Sequence, residues 1–176
     1  MMKKNIFRKG LSLIEVLVVM TIFAVLGVLV TQSIVLTLVG SRKSESIIHA
    51  RENLDYALNI IERQIRNASY VYGDSSYTIP CPNSGDTSSI YYKDQNNKES
   101  SFSCVYIGLD DSYVASGSAR LTSGNVRVTN CSFTCTVGAT GAPDLVTIEL
   151  SLAEDSASGA QGAEVSASTQ IRLRNY

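Results

Sequence analysis

The hydrophobic rhythm of the chain changes twice. From Leu11 to Ser41 the only ionisable side chain is Glu15, and the 26 residues from Val16 to Ser41 contain none. A helix needs about 20 predominantly apolar residues to cross the hydrocarbon core of a bilayer. After Ser41 the pattern turns amphipathic, with no proline before Pro80. Ile47, Leu54, Ile61 and Ala68 recur every seven residues, and Leu58 and Ile65 fill the intermediate positions, which is a helical apolar stripe. Glu62 and Arg66 stand one turn apart in the favourable order. One helix is therefore expected from near residue 11 to near residue 70, roughly 90 Å at 1.5 Å per residue. The heptad stripe is too short to favour a coiled coil over a sheet-packing face. Gly27 and Gly40 are soft points, each costing about 1 kcal/mol in a helix interior.

From Gly73 onward Ser, Thr, Asn, Gly and Tyr rise and the period becomes two. The segments "SYTIP" (76–80), "SSIYYK" (88–93), "SFSCVYIGL" (101–109), "ARLTS" (119–123), "VRVTNCSFTCTV" (126–137), "DLVTIELSL" (144–152) and "EVSASTQIRLRNY" (164–176) read as strands. Turn clusters such as "DQNNKE", "GATGAPD" and "DSASGAQG" separate some of them. The Ser/Gly-rich stretches 74–89 and 153–163 read as surface loops. One long helix followed by a run of strands predicts an α+β fold, with an antiparallel sheet packed on the helix. The expected organisation is a basic N-terminal segment 1–10, an apolar helix 11–41, its amphipathic outer half 42–72, and a β-rich domain 73–176.

Charge sharpens the reading of the apolar run. Residues 1–10 hold Lys3, Lys4, Arg8 and Lys9 and no acid, whereas residues 74–176 hold eleven acids against six bases, a net −5. A basic start, an apolar run and a mildly acidic remainder fit a chain whose start stays in the cytoplasm while the rest is exported. The run is too long for a removable secretory signal, whose apolar region is ~7–15 residues, and no A-x-A-like site follows it. A plain signal anchor holding an extracytoplasmic binding or adhesion domain explains all of this run except Glu15. A lone carboxylate at membrane depth costs a few kcal/mol on insertion scales and marks a function by default.

The stretch "KGLSLIEVLVVMTIFAVLG" resembles the N-terminus of type IV pilins and of the pseudopilins of type II secretion. Gly10, Leu11, Ser12, Leu13, Ile14 and Glu15 match in order that family's glycine, apolar residue, small hydroxyl residue, two aliphatics and glutamate. Leu11 and Ser12 stand where the commoner forms have Phe and Thr. The resemblance covers residues 1 to about 70 and implies the pilin-like version of the α+β fold. It implies a cut by prepilin peptidase between Gly10 and Leu11, removal of the leader 1–10, and N-methylation of Leu11. It also implies assembly in which Glu15 faces the α-ammonium of a neighbouring subunit. Implied partners are other pilins or pseudopilins, the prepilin peptidase and an inner-membrane assembly platform. The implied location is the cytoplasmic membrane, crossed once with the leader inside and the β-domain outside, and then a pilus or pseudopilus. Major pilins commonly carry a proline beyond mid-span, and "VLVTQSIVL" has none. Together with the resemblance of "ENLDYALNIIERQIRNASY" to minor pilins and J-type pseudopilins, this favours a minor subunit.

Cys81, Cys104, Cys131 and Cys135 all fall in the outer part. Four cysteines allow three pairings, and an oxidising compartment favours disulfides. The expected pairs are Cys81–Cys104 and Cys131–Cys135. Four residues apart on an ideal strand is ~13 Å, so the second pair demands a bulge or turn between its members. A zinc site needs two short cysteine pairs, and only one is present.

The remaining chemistry points away from an enzyme. The single His49 follows Glu45 by four residues on the helix and reads as a solvated face residue. No phosphate-cradling glycine loop follows a strand. Asp110–Asp111 and Glu154–Asp155 are adjacent only in sequence, and neighbouring strand residues point to opposite faces. Asp94 and Glu99 offer oxygen ligands for Ca²⁺, but the segment lacks the spacing and central glycine of a known loop, so a hairpin turn is preferred. Tyr91 and Tyr92 read as sheet packing rather than a base-stacking platform, because the outer part is acidic and no nucleic acid is expected. No cofactor is implied.

Overall fold

A computed structural model describes residues 12–81, 87–107, 111–139, 142–154 and 164–174. Helix α1 is Leu13–Arg66. The Ser12 carbonyl accepts the amides of Glu15 at 2.9 Å and Val16 at 3.2 Å, which makes Ser12 the residue that starts the helix. Acidic Glu15 sits in the first turn and basic Arg63 and Arg66 in the last, so both ends complement the helix dipole. The chain divides into two compact units between Ser41 and Arg42.

In the second unit, α1 buries Ser46, Ala50, Leu54, Ala57, Leu58, Ile61 and Ile65. The stripe differs from the expected one at its start, since Ile47 is exposed and Ser46 and Ala50 are buried. A straight helix turns by 3.6 residues, so a strict step of seven drifts off the buried face. The Arg66 guanidinium and Glu62 carboxylate form the expected ion pair one turn apart.

The described residues then form eight strands: β1 Tyr70–Tyr72, β2 Ser89–Lys93, β3 Glu99–Ile107, β4 Asp111–Ser116, β5 Ala119–Arg120, β6 Val126–Thr136, β7 Leu145–Glu154 and β8 Glu164–Arg172. They form two antiparallel sheets rather than one. The first has the order β1-β2-β3-β4-β5 and the second β6-β7-β8. Each described strand pairs with its sequence neighbour within its sheet, as short connections favour. The core joins Leu54, Ile61 and Ile65 of α1 to Phe102 and Val114 of the first sheet and to Phe133, Ile148, Leu150 and Ile171 of the second.

The segment 76–80 is not the expected strand. The Asp74 carboxylate accepts the amides of Thr78 and Ile79 and the Thr78 hydroxyl, at 2.7–3.3 Å. Tyr77 adopts a φ of 54° within this turn. Local side-chain acceptance of this kind competes with ladder pairing, and only Pro80 keeps an isolated bridge, to Tyr72. Strand β1 and strand β4 were absent from the period-based reading, the first because it is three residues long and the second because it begins on Asp111.

A bulge in β6 falls between Val128 and Asn130. Before it Val126 and Val128 are buried; after it the buried set includes Cys131, Phe133 and Cys135. One extra residue reverses the facing of everything beyond it, and that is what turns both cysteines of this strand inward.

The disulfides are Cys81–Cys135, with Cα atoms 5.3 Å apart, and Cys104–Cys131, at 6.0 Å. This corrects the expected Cys81–Cys104 and Cys131–Cys135. The bulge precedes Cys131 instead of lying between the two cysteines, so they stay extended, ~13 Å apart. Cys81 donates its amide to Val71 at 2.9 Å and so lies outside β1, while Cys104 is on β3. Three strand spacings, roughly 14 Å, separate those two, beyond the ~7 Å Cα limit of a bridge.

Candidate functional site

The first unit is the apolar helix. Its side chains from Leu13 to Leu38 are exposed, Leu13 to 83%. Among the described residues this is the one helix long and apolar enough to cross a membrane. Its threonine hydroxyls are internally satisfied: Thr21 donates to the Val18 carbonyl, Thr31 to Gly27 and Thr37 to Ser33, at 2.8–2.9 Å. A hydroxyl bonded back to its own helix presents no unmet donor to hydrocarbon. Helices of a soluble core bury their aliphatics; among the described residues these are exposed.

Glu15 stands at the start of this surface, three residues after Ser12. Ser-x-x-Glu at a helix start is the capping-box spacing, which the sequence reading passed over. Its backbone amide bonds to Ser12, and among the described residues no cation lies within ion-pair distance of its carboxylate. A carboxylate in the first turn is stabilised by the helix dipole. It projects from a surface that carries no other ionisable side chain as far as Ser41. Gly10 and Leu11, the proposed cut site and methylation site, lie outside the described residues.

The other candidate residues have local duties. His49 is exposed on α1, its Nε2 3.9 Å from Glu45 Oε1. Asp94 closes the β2–β3 hairpin: its Oδ1 accepts the amides of Asn96 and Lys98, each at 2.8 Å, and Asn97 takes a φ of 58°. Glu99 pairs with Lys93 at 3.1 Å, so both suggested Ca²⁺ ligands are engaged within the hairpin. Tyr92 is buried and stacked on Phe102 with ring centroids 5.4 Å apart, and its hydroxyl donates to Gln64. Tyr91 meets Tyr77 edge-on. Asp111 pairs with Arg120 at 3.1 Å; Asp110 and Asp155 lie outside the described residues. Among the described residues no three His, Cys, Asp or Glu side chains converge as a metal site would require.

Residues 7–31 match the family described as the prokaryotic N-terminal methylation motif. No curated protein and no solved structure matches the chain. The motif supports a processed protein of the type IV pilin or pseudopilin kind, and points to a structural rather than a catalytic role. With the long apolar helix it points to membrane anchoring, to processing by prepilin peptidase and to assembly with other pilins.

Proposed function

We propose that this chain is a minor subunit of a type IV pilus-like filament or of a type II secretion pseudopilus. Prepilin peptidase cuts between Gly10 and Leu11, and the new terminus at Leu11 is N-methylated. The processed chain stays in the cytoplasmic membrane by residues 11–41, with the β-domain outside, until an assembly platform moves it into the filament. There Glu15 pairs with the α-ammonium of a neighbouring subunit.

The observation that carries this reading is the lone carboxylate of Glu15 on an exposed aliphatic helix, inside the matched motif. Helix association in lipid lacks a hydrophobic drive, so a polar contact has outsized influence on register. Two charges buried in a poor dielectric are each costly alone, and pairing offsets much of that cost. A plain anchor requires no such group. The absence of proline from Leu13–Arg66 supports a minor over a major subunit.

The test is fractionation of cells making Glu15→Ala, comparing membrane-held subunit with subunit in sheared filaments or co-purified with partner pilins. Membrane retention with loss of incorporation supports the reading. Incorporation at the wild-type level refutes the Glu15 pairing, and absence of the wild-type chain itself from filaments leaves the anchored binding domain as the account.

A further inference from the structure

Among the described residues the two sheets leave one long edge open. On the first sheet, β1 is covered by Pro80 and Cys81, and β5 has two residues. On the second, β6 is engaged through its bridge to Thr87 and the Ser112 hydroxyl on the Val128 carbonyl. Strand β8 is different. It is nine residues long, pairs only with β7, and receives no backbone hydrogen bond on its other side from any described segment. Natural edges are usually blunted by charge, proline, bulges or shortness. From Val165 to Ile171 this one has no charge and no proline, and its register with β7 is unbroken.

We propose that β8 is the contact through which two copies of this chain pair, antiparallel, around a two-fold axis at Ser168. Directly opposite residues of an antiparallel pair lie on the same face. The exposed face of β8 carries Glu164, Ser166, Ser168, Gln170 and Arg172, and the other face carries the partly or fully buried odd-numbered residues. With Ser168 opposite Ser168, all nine residues of each strand are paired and both faces continue across the junction. That same register sets Glu164 of each copy against Arg172 of the other, giving an opposite-charge pair at each end. Within one copy the Glu164 carboxylate accepts the Thr129 hydroxyl of β6, and on pairing it exchanges that neutral partner for the Arg172 guanidinium of the other copy. Sliding by two residues breaks the full overlap and takes Arg172 off Glu164. The surface is thus self-complementary in backbone, facing and charge, as a two-fold contact requires, and the second sheet becomes six-stranded. This contact is separate from the Glu15 pairing and does not depend on it.

The experiment uses the full-length chain in mild detergent under gentle oxidation. Ser168→Cys places two thiols on the axis, where opposed Cβ atoms are ~5 Å apart. It should give at least about ten-fold more disulfide-linked dimer than Ser166→Cys, whose thiols would be ~13 Å apart. Mixing Ser166→Cys with Gln170→Cys should restore the cross-link. Glu164→Arg should reduce the Ser168→Cys dimer, and adding Arg172→Glu should recover it. Peptide mapping of the two native disulfides confirms that each variant is folded. Equal cross-linking at positions 166 and 168, or no recovery in the charge swap, overturns the proposal. Glu15→Ala in the Ser168→Cys background should leave the dimer yield unchanged, and a loss there would overturn the claim that the two contacts are separate.

Discussion

Thr87 and Phe133 exchange both of their backbone hydrogen bonds, each at 2.9 Å, and so join two sheets across 46 residues of sequence. The Thr87 hydroxyl adds a third bond to the same Phe133 carbonyl at 3.0 Å. Two residues to either side of Phe133 stand Cys131 and Cys135, bonded to Cys104 and Cys81. The β6 strand is therefore fastened to the first sheet at three consecutive inward positions, the outer two covalently.

Non-reducing peptide mapping should find Cys81 linked to Cys135 and Cys104 to Cys131. The bridges close separations of 54 and 27 residues. Removing either alone should cost roughly 3–4 kcal/mol of outer-domain stability. The second loop is nested in the first, so each bridge shortens the loop that the other closes, and removing both should cost more than the sum of the two single removals. A pairing of Cys131 with Cys135 would contradict the structure.

Phe133→Ala should destabilise the outer domain by about 3–5 kcal/mol, since its ring is fully buried while its backbone holds the sheet junction. Denaturant melting of the detergent-solubilised chain measures this. A loss below ~1 kcal/mol would show that the ring is not part of the packed core.

Mass spectrometry of protein from its own cell should show a chain beginning at Leu11 and N-methylated there. Gly10→Val should leave residues 1–10 attached. A mature chain starting at Met1, with prepilin peptidase active, contradicts the proposed processing.

Glu15→Gln should recover little of the assembly lost in Glu15→Ala, because the amide keeps the shape and lacks the charge. An ammonium left buried and unpaired costs ~3–5 kcal/mol where the contact is dry. Insertion should be as good as wild type or better in both variants. Wild-type incorporation of Glu15→Gln would show that shape rather than charge is read.

The Asp74 carboxyl is held below its ordinary value of 3.8, chiefly by the Ile79 amide and then by the Thr78 hydroxyl. A carboxylate with a lowered folded-state pKa stabilises at higher pH, and that contribution fades as pH falls through the lowered value. The amide resonances of Thr78 and Ile79 should therefore titrate together below pH 3.8, and Asp74→Asn should remove the step. Titration of these amides at or above 3.8 would contradict the assigned hydrogen bonds.

What the sequence by itself determined are the features written in local order. The change from a charge-free run to an amphipathic stripe located α1, because a helix repeats its face every few residues and burial or lipid reads that repeat directly. Alternation located β2, β3, β6, β7 and β8 for the same reason. The glycine-to-glutamate string at residues 10–15 was legible because it lies in a contiguous motif, residues 7–31, that is read in linear order. Only the tertiary structure decided the rest. The bulge after Val128 is one residue in a ladder of ten pairs, and no local pattern announces it, yet it turns Cys131 and Cys135 inward. Once both face the first sheet from one extended strand, they are too far apart to bond each other and each must take a partner across the sheet junction. Disulfide choice was thus a question of which strands become neighbours, and neighbours in space are set by the packing of Phe102, Phe133 and Ile61 together, a contact between residues far apart in the chain.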